Sequence, residues 1–244
     1  MKRTVALAAL ATICASPSVA EGWSGGLGFT YALPTESEDR SITEYFGGLE
    51  YAFNRNFSLA FDLAAYDFED FDDAFISSTW HLIYHVNESA SVGFFAGADI
   101  LGDDSGIDIL TDYSTATGLE VGVEYAAFEG EGYLGVTIPD GELEENGTIF
   151  GVSGEYDILN NWSAIGSFDY LSVEDLSANV FAIGVEYEFD GGPELFAKVG
   201  QRSGSVDDFE DDSQFVEIGA SVSFGRDRGT TFERRSVFEA LPNF

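Results

Sequence analysis

The protein has 244 residues, a formal net charge of −34, 45% hydrophobic residues, 15% aromatic residues and one cysteine. Ten Lys and Arg residues against 44 Asp and Glu residues exclude a nucleic-acid-binding protein, because the phosphates would be repelled. The aromatic content argues against a disordered acidic chain, and a single cysteine excludes a disulfide framework or a cysteine-based zinc site. The length fits one all-β barrel domain.

The N-terminus has the pattern of a signal peptide. Lys2 and Arg3 precede an apolar stretch at 4–15, and small residues lead up to Ala20. We predict a signal peptide over 1–20 that is cleaved before Glu21, since the apolar stretch is too short for a membrane anchor. Cleavage removes the only cysteine and changes the charge from −34 to −36, because two bases leave with it. No later run of 18 apolar residues follows, so we expect an exported protein that is either soluble or a β-barrel.

The rest of the chain alternates with a period of two. In 181–189, Phe, Ile, Val, Tyr and Phe occupy the odd positions, and small or acidic residues occupy the even positions. Successive side chains of a strand point to opposite faces, so one face is apolar and the other small or acidic. Twelve segments carry this pattern, and we predict a strand for each: 23–33, 41–53, 57–68, 74–86, 90–101, 112–128, 133–138, 147–158, 162–171, 178–189, 193–202 and 214–224.

The predicted connections alternate between short and long. Short Asn- and Gly-containing turns lie at 54–56, 87–89, 129–132, 159–161 and 190–192. Longer acidic loops lie at 34–40, 69–73, 102–111, 139–146, 172–177 and 203–213. This layout is typical of an antiparallel transmembrane β-barrel with short periplasmic turns and long external loops. Because twelve is even, both termini are expected on the periplasmic side.

Aromatic residues recur at one end of the predicted strands, on their apolar face. In a transmembrane barrel they would form a girdle at the periplasmic interface of the membrane. A β-sandwich would also bury alternating aromatic residues, but it gives no reason for a ring of them at one end. The predicted girdle residues are Trp23, Tyr51, Tyr125, Tyr156, Trp162 and Tyr187.

These features together resemble bacterial outer-membrane β-barrel proteins of the porin-like kind. The resemblance is carried by the signal peptide, the alternating strands, the girdle tyrosines and a terminal strand that ends at Phe224. It covers residues 21–225 and implies a location in the bacterial outer membrane, contact with its lipid, and insertion by the barrel-assembly machinery. The chain departs from the family by continuing through 226–244, so either Phe224 or Phe244 is the candidate for the assembly signal.

The second face of each strand would line the lumen, and carboxylates dominate it. They must be hydrated, bound to cations or protonated, and a wet acidic lumen favours the passage of cations. Twelve strands give a narrow pore, so we predict passive diffusion of small cations or solutes. The alternative is a closed structural or interaction barrel. The predicted lumen acids are Glu50, Asp62, Asp99, Glu120, Glu124, Glu155, Asp157, Asp169, Glu186, Glu188, Glu194 and Glu217, and the predicted lumen bases are Lys198 and Arg202.

The C-terminal tail, 226–244, is basic. It contains four of the eight bases of the mature chain, namely Arg226, Arg228, Arg234 and Arg235. Two hypotheses follow from this composition. The tail either extends into the periplasm as a flexible segment, or enters the lumen, pairs with its glutamates and partly plugs the pore.

No catalytic pattern stands out in the sequence. His81 and His85 share a strand face but lie roughly 13 Å apart, at about 3.3 Å per residue, which is too far for one metal site. Ser77 or Thr79 could partner a histidine, but residues two apart on one strand face rarely meet in catalytic geometry. We therefore predict no enzyme activity, cofactor or metal site. A soluble secreted β-protein remains as a third class, and the oligomeric state is open.

Overall fold

The computed structural model describes residues 22–35, 41–69, 75–100, 113–140, 146–190, 192–206, 209–225 and 232–240. The predicted signal peptide, most residues of the predicted loops 34–40, 69–73, 102–111 and 139–146, and the tail residues Arg226, Arg228 and Phe244 lie outside these ranges.

Twelve antiparallel strands form one closed barrel, in which each strand pairs with its neighbours in the chain and β1 pairs with β12. The predicted fold class is confirmed. The strands are β1 (Trp23–Pro34), β2 (Ile42–Ala52), β3 (Phe57–Phe68), β4 (Phe75–Asn87), β5 (Ala90–Ile100), β6 (Tyr113–Tyr125), β7 (Phe128–Asp140), β8 (Gly147–Leu159), β9 (Trp162–Val173), β10 (Leu176–Glu188), β11 (Pro193–Val206) and β12 (Phe209–Phe224). One short helix, α1 (Val237–Ala240), follows them.

The barrel closes between its first and last strands. Their register runs from Gly25 opposite Phe224 to Pro34 opposite Phe215. Phe224 therefore ends the strand that completes the barrel. We call the end where β1 begins and β12 ends the terminal end, and the opposite end, where Pro34 and Ile42 lie, the distal end.

The period-two pattern separates the two surfaces of the barrel. On β10, Phe181, Ile183 and Val185 are exposed on the outside, whereas Val180 and Ala182 are buried inside. Large apolar side chains lie outward and exposed in the same way on the other strands. This apolar outer surface suits contact with hydrocarbon. Among the described residues, no helix is long and apolar enough to cross a membrane.

The predicted girdle aromatics lie together at the terminal end. The rings of Trp23 and Tyr51 are 4.8 Å apart, and those of Trp162 and Tyr187 are 4.9 Å apart, each pair joining neighbouring strands. Tyr125 and Tyr156 are exposed at the same end.

The turn between β6 and β7 lies earlier than predicted. The strands end at Tyr125 and begin again at Phe128, so the turn is Ala126–Ala127, and the predicted turn 129–132 belongs to β7. Ala126 has φ of +56°, a left-handed conformation that alanine rarely adopts. The glycines of 129–132 signalled a turn by their composition, but the alternation of β7 continues through them. Glu131 is thereby placed on the inner surface.

Replacing Ala126 with glycine is expected to stabilise the barrel by about 1 kcal/mol, because glycine adopts positive φ without the steric cost that alanine carries. The urea midpoint of unfolding, followed by tryptophan fluorescence, measures this change. Ala127→Gly is the matched control, since Ala127 has no positive φ. An equal gain from both substitutions would contradict the assignment of strain to Ala126.

Two connections at the distal end are shorter than predicted. Only Glu174 and Asp175 separate β9 from β10, so most of the predicted loop 172–177 is strand. Most of the predicted loop 203–213 is likewise strand, since β11 runs to Val206 and β12 begins at Phe209. These segments were predicted as loops because they are acidic, but the strands continue through them beyond the apolar outer surface.

Candidate functional site

An apolar cluster lies in the distal half of the lumen. Inward residues of most strands meet there, and three residues of α1 pack against them: Val237, Phe238 and Ala240. The prediction of an acidic lining did not anticipate this apolar cluster. The wall residues of this apolar cluster are Ala32, Ile42, Ala64, Tyr66, Phe75, Phe95, Ala116, Ile149, Leu171, Val173, Leu176, Ala178, Val180, Ala182 and Phe215.

Residues 232–240 lie inside the barrel and run along its axis; we call them the inner segment. Phe232 packs with Ala60 and Ile83, and its ring stacks 6.3 Å from that of His81. Further along, Phe238 lies against Phe75 at the distal end of β4. Of the two hypotheses for the basic tail, this placement corresponds to entry into the lumen.

Arg235 is buried at the middle of the inner segment and is held by two wall carboxylates. Its guanidinium Nη1 and Nη2 atoms each donate to Glu131 at 3.0 Å, in a bidentate pair. Nη2 also lies 3.4 Å from Glu120, and the guanidinium lies 4.4 Å from the centre of the Tyr133 ring. The bidentate pair is specific to arginine, because a lysine ammonium is a point charge without the planar pair of donors.

Arg234 lies closer to the distal end and faces another group of partners. It pairs with Glu44 of β2, and it also pairs with Glu239 of α1 at 2.5 Å. Its Nε atom donates to the Tyr66 hydroxyl at 3.2 Å. Burial raises the pKa of the Glu239 carboxyl to about 8, although Arg234 opposes the rise.

The wall also binds the backbone of the inner segment. Thr79 accepts from the Arg235 amide at 3.1 Å and donates to the Arg235 carbonyl at 3.0 Å. Asp99 accepts from the Ser236 hydroxyl at 2.8 Å and from the Val237 amide at 2.9 Å. Gly97 leaves room for this approach, since a Cβ atom there would lie 3.1 Å from the Arg235 carbonyl oxygen.

The predicted lumen residues divide into two groups. Glu120 and Asp99 contact the inner segment, while Asp62 contacts His81 and Glu50 lies near His85. The remaining residues make neither kind of contact. Lys198 is 3.3 Å from Glu217, Asp169 accepts from Tyr133 at 2.8 Å, Asp157 from Ser163 at 3.2 Å, and Glu194 from Ser221.

Although Asp169 and Arg202 lie in the distal halves of β9 and β11, most of the second group forms an acidic surface near the terminal end. Glu186 lies there among Glu155, Glu188 and Glu194, with Lys198 as a nearby base. The predicted lumen base Arg202 lies 4.1 Å above the Phe215 ring. Glu124 and Asp157 are exposed at the terminal rim.

The sequence-based list lacked two carboxylates that contact the inner segment. Glu44 has the same strand parity as Glu50 on β2, so the alternation alone would have identified it. Glu131 was missed because it lies within 129–132, which was predicted to be a turn. Both pair with the arginines of the inner segment.

The two histidines are engaged in separate contacts. His81 Nδ1 lies 2.8 Å from Glu120 and Nε2 lies 3.0 Å from Asp62, so both ring nitrogens are occupied by carboxylates. His85 lies between the hydroxyls of Ser58, at 3.1 Å, and Ser91, at 2.9 Å. Ser58 is fully buried, which denies a substrate access to this Ser–His pair. In the described part of the chain, no group of three or more His, Cys, Asp or Glu residues could hold a metal ion.

Several solved outer-membrane channels have a similar architecture. The COG4313 outer membrane channel from Pseudomonas putida F1 matches with a TM-score of 0.61 at 11% identity, over 84% of this chain and 97% of that one. The KdgM porin matches with a TM-score of 0.58 at 10% identity, over 82% and 99%. The NanC porin matches with a TM-score of 0.59 at 7% identity, over 80% and 98%.

The protein has a porin-like outer-membrane barrel fold. At these identities the similarity extends to the fold and no further. No protein-family model matches the sequence, and no curated protein matches it significantly.

Proposed function

We propose that the protein is an outer-membrane channel for small cations that the inner segment holds shut at rest. The observation that carries the proposal is the position of Arg235, buried in the lumen and paired with Glu120 and Glu131. The inner segment lies in the lumen and packs against the apolar wall of its distal half. Conduction therefore requires the inner segment to move.

Charge supports the preference for cations. The acidic surface around Glu186 carries several carboxylates for one nearby lysine. A low-dielectric wall strengthens the field of such groups, which concentrates cations and repels anions.

A closed structural barrel is the second candidate function. It is favoured by the apolar packing of Val237, Phe238 and Ala240 in the distal half, which resembles a protein core more than a water-filled passage. In that case the inner segment is a permanent part of the fold, and no substitution in it opens a channel.

Planar-bilayer recordings distinguish the two candidates. We expect little current from the wild-type protein and larger current from Arg234→Gln/Arg235→Gln, which removes the ion pairs of both arginines. In a tenfold KCl gradient the reversal potential of this variant should show that K⁺ permeates better than Cl⁻. Equal permeation of the two ions would contradict the charge argument, and absence of current would favour the closed barrel.

Neutralising the acidic surface tests where the selectivity arises. In the Arg234→Gln/Arg235→Gln background, Glu186→Gln should shift the reversal potential towards zero, because one carboxylate of the acidic surface is lost. Glu88→Gln is the control, since Glu88 is exposed outside the lumen and lies 3.8 Å from Arg55. An equal shift from both substitutions would place the selectivity elsewhere.

A further inference from the structure

The inner segment contacts the wall as a bound peptide does. Its ion pairs, its aromatic side chain and its backbone each have a separate partner on the barrel. These partners belong to β2–β7, whereas the segment reaches them from the end of β12, so the chain enters its own lumen as a separate element.

The wall selects guanidinium groups in particular. Around Arg235 it provides the bidentate carboxylate of Glu131, the carboxylate of Glu120 and the ring of Tyr133. Around Arg234 it provides Glu44 and the Tyr66 hydroxyl. Without a cation, Glu44 and Glu131 would lose their charged partners inside the barrel and Glu120 would keep only His81. Buried carboxylates without a charged partner are costly, so a cationic ligand is favoured over an empty site.

The wall also recognises a peptide backbone and a neighbouring aromatic residue. Thr79 bonds both the amide and the carbonyl of Arg235, and Asp99 bonds the Val237 amide. Phe238 lies between Tyr66, at 5.3 Å, and Phe75, at 5.6 Å. A free guanidinium compound would use only the ionic part of this site, whereas a peptide would use all of it.

We propose that the lumen is a binding site for linear cationic peptides with adjacent arginines close to an aromatic residue, and that the inner segment occupies it as a tethered internal ligand. This proposal rests on the proposed function in one respect: an external peptide can enter the lumen only after the inner segment has moved. An external peptide competes with the tethered segment, whose effective concentration is high, so the intact protein binds such a peptide weakly.

Fluorescence anisotropy on the full-length, detergent-solubilised protein tests this competition. The probe is a labelled synthetic peptide with the sequence of residues 231–241. Arg234→Gln/Arg235→Gln weakens the internal ligand and leaves the wall unchanged, so the peptide should bind this variant about 100-fold more tightly than it binds the wild-type protein. Equal binding to the two proteins would overturn the proposal.

Two matched controls separate recognition from general attraction to an acidic protein. A peptide with both arginines replaced by glutamine should not bind, and one with both replaced by lysine should bind more weakly than the arginine peptide. Adding Glu131→Gln to the variant should weaken binding of the arginine peptide at least about tenfold, because the bidentate pair is lost. Equal affinity for all three peptides, with no effect of Glu131→Gln, would contradict a specific binding site.

A milder variant covers the case in which the double substitution prevents folding, as judged by loss of the heat-dependent gel shift. Arg235→Lys keeps the charge and loses the bidentate pair, and it should still bind the peptide more tightly than the wild-type protein does; equal binding overturns the proposal. Anisotropy needs no current, so peptide binding without conduction would refute the proposed channel alone. Cation current without peptide binding would refute the binding site alone.

Discussion

Arg235→Gln is expected to raise the labelling rate of a cysteine at position 240 about 100-fold. Ala240 is buried at the distal end of the inner segment, so a thiol there reacts only when that end of the segment is released from the wall. Removing one partner of a buried ion pair costs about 3 kcal/mol, because the remaining carboxylates lose their compensation. Each 1.4 kcal/mol changes an equilibrium tenfold, which gives the expected rate.

The experiment uses Ala240→Cys in the mature chain, whose only cysteine is then the introduced one if the signal peptide is cleaved as predicted. A membrane-impermeant maleimide measures the labelling rate in detergent. The destabilisation caused by Arg235→Gln cannot exceed the free energy that holds the inner segment in the lumen. Once the segment is released, water hydrates the carboxylates Glu120 and Glu131.

Arg55→Gln is the control for this prediction. Arg55 lies 3.8 Å from Glu88, and both side chains are almost fully exposed, so this pair contributes little. Labelling at position 240 should be unchanged by it. If Arg235→Gln also left the rate unchanged, the ionic contacts would not hold the inner segment in place.

Alternation of side chains was sufficient to predict the barrel. On β10, large apolar residues alternate with small or acidic residues over 181–187. A barrel that contacts lipid on its outer surface requires such alternation on its strands. The turn at Ala126 could not be predicted in the same way. Its conformation is imposed by the pairing of β6 with β7, whereas the residue type carries no turn signal.

The ligands of the inner segment were harder to predict than the strands. Parity places Glu120 inside, but it does not say which carboxylates face each other across the lumen, because that depends on the register of all twelve strands. The composition of the tail identified Arg234 and Arg235 as possible partners of lumen glutamates. Their actual positions depend on tertiary contacts with β2–β7, such as those with Thr79 and Asp99, and these leave no local sequence pattern.

The apolar part of the lumen shows the same limit. Val180 and Ala182 lie on the inner face of β10, and their size gave no sign that they would meet Val237 and Phe238 from the tail. A short apolar run after two arginines fits either a free extension or a plug. Only the position of the tail inside the barrel decides between them.

Phe238→Ala is expected to separate the two ends of the inner segment. The substitution removes a ring packed between Tyr66 and Phe75, and loss of a buried phenylalanine costs about 3–5 kcal/mol. Labelling at position 240 should rise about 100-fold or more, as with Arg235→Gln. Phe94→Ala, on the outer surface of β5, is the control and should leave labelling unchanged.

The current through a planar bilayer should respond differently to the two substitutions. In Phe238→Ala the pairs of Arg235 with Glu131 and Glu120 persist, so the distal end can open locally while the middle of the lumen stays occupied. We therefore expect little additional current from Phe238→Ala and a large increase from Arg235→Gln. Equal increases would mean that the segment leaves as one unit, and the ionic contacts at its middle would then have no separate role in closing the channel.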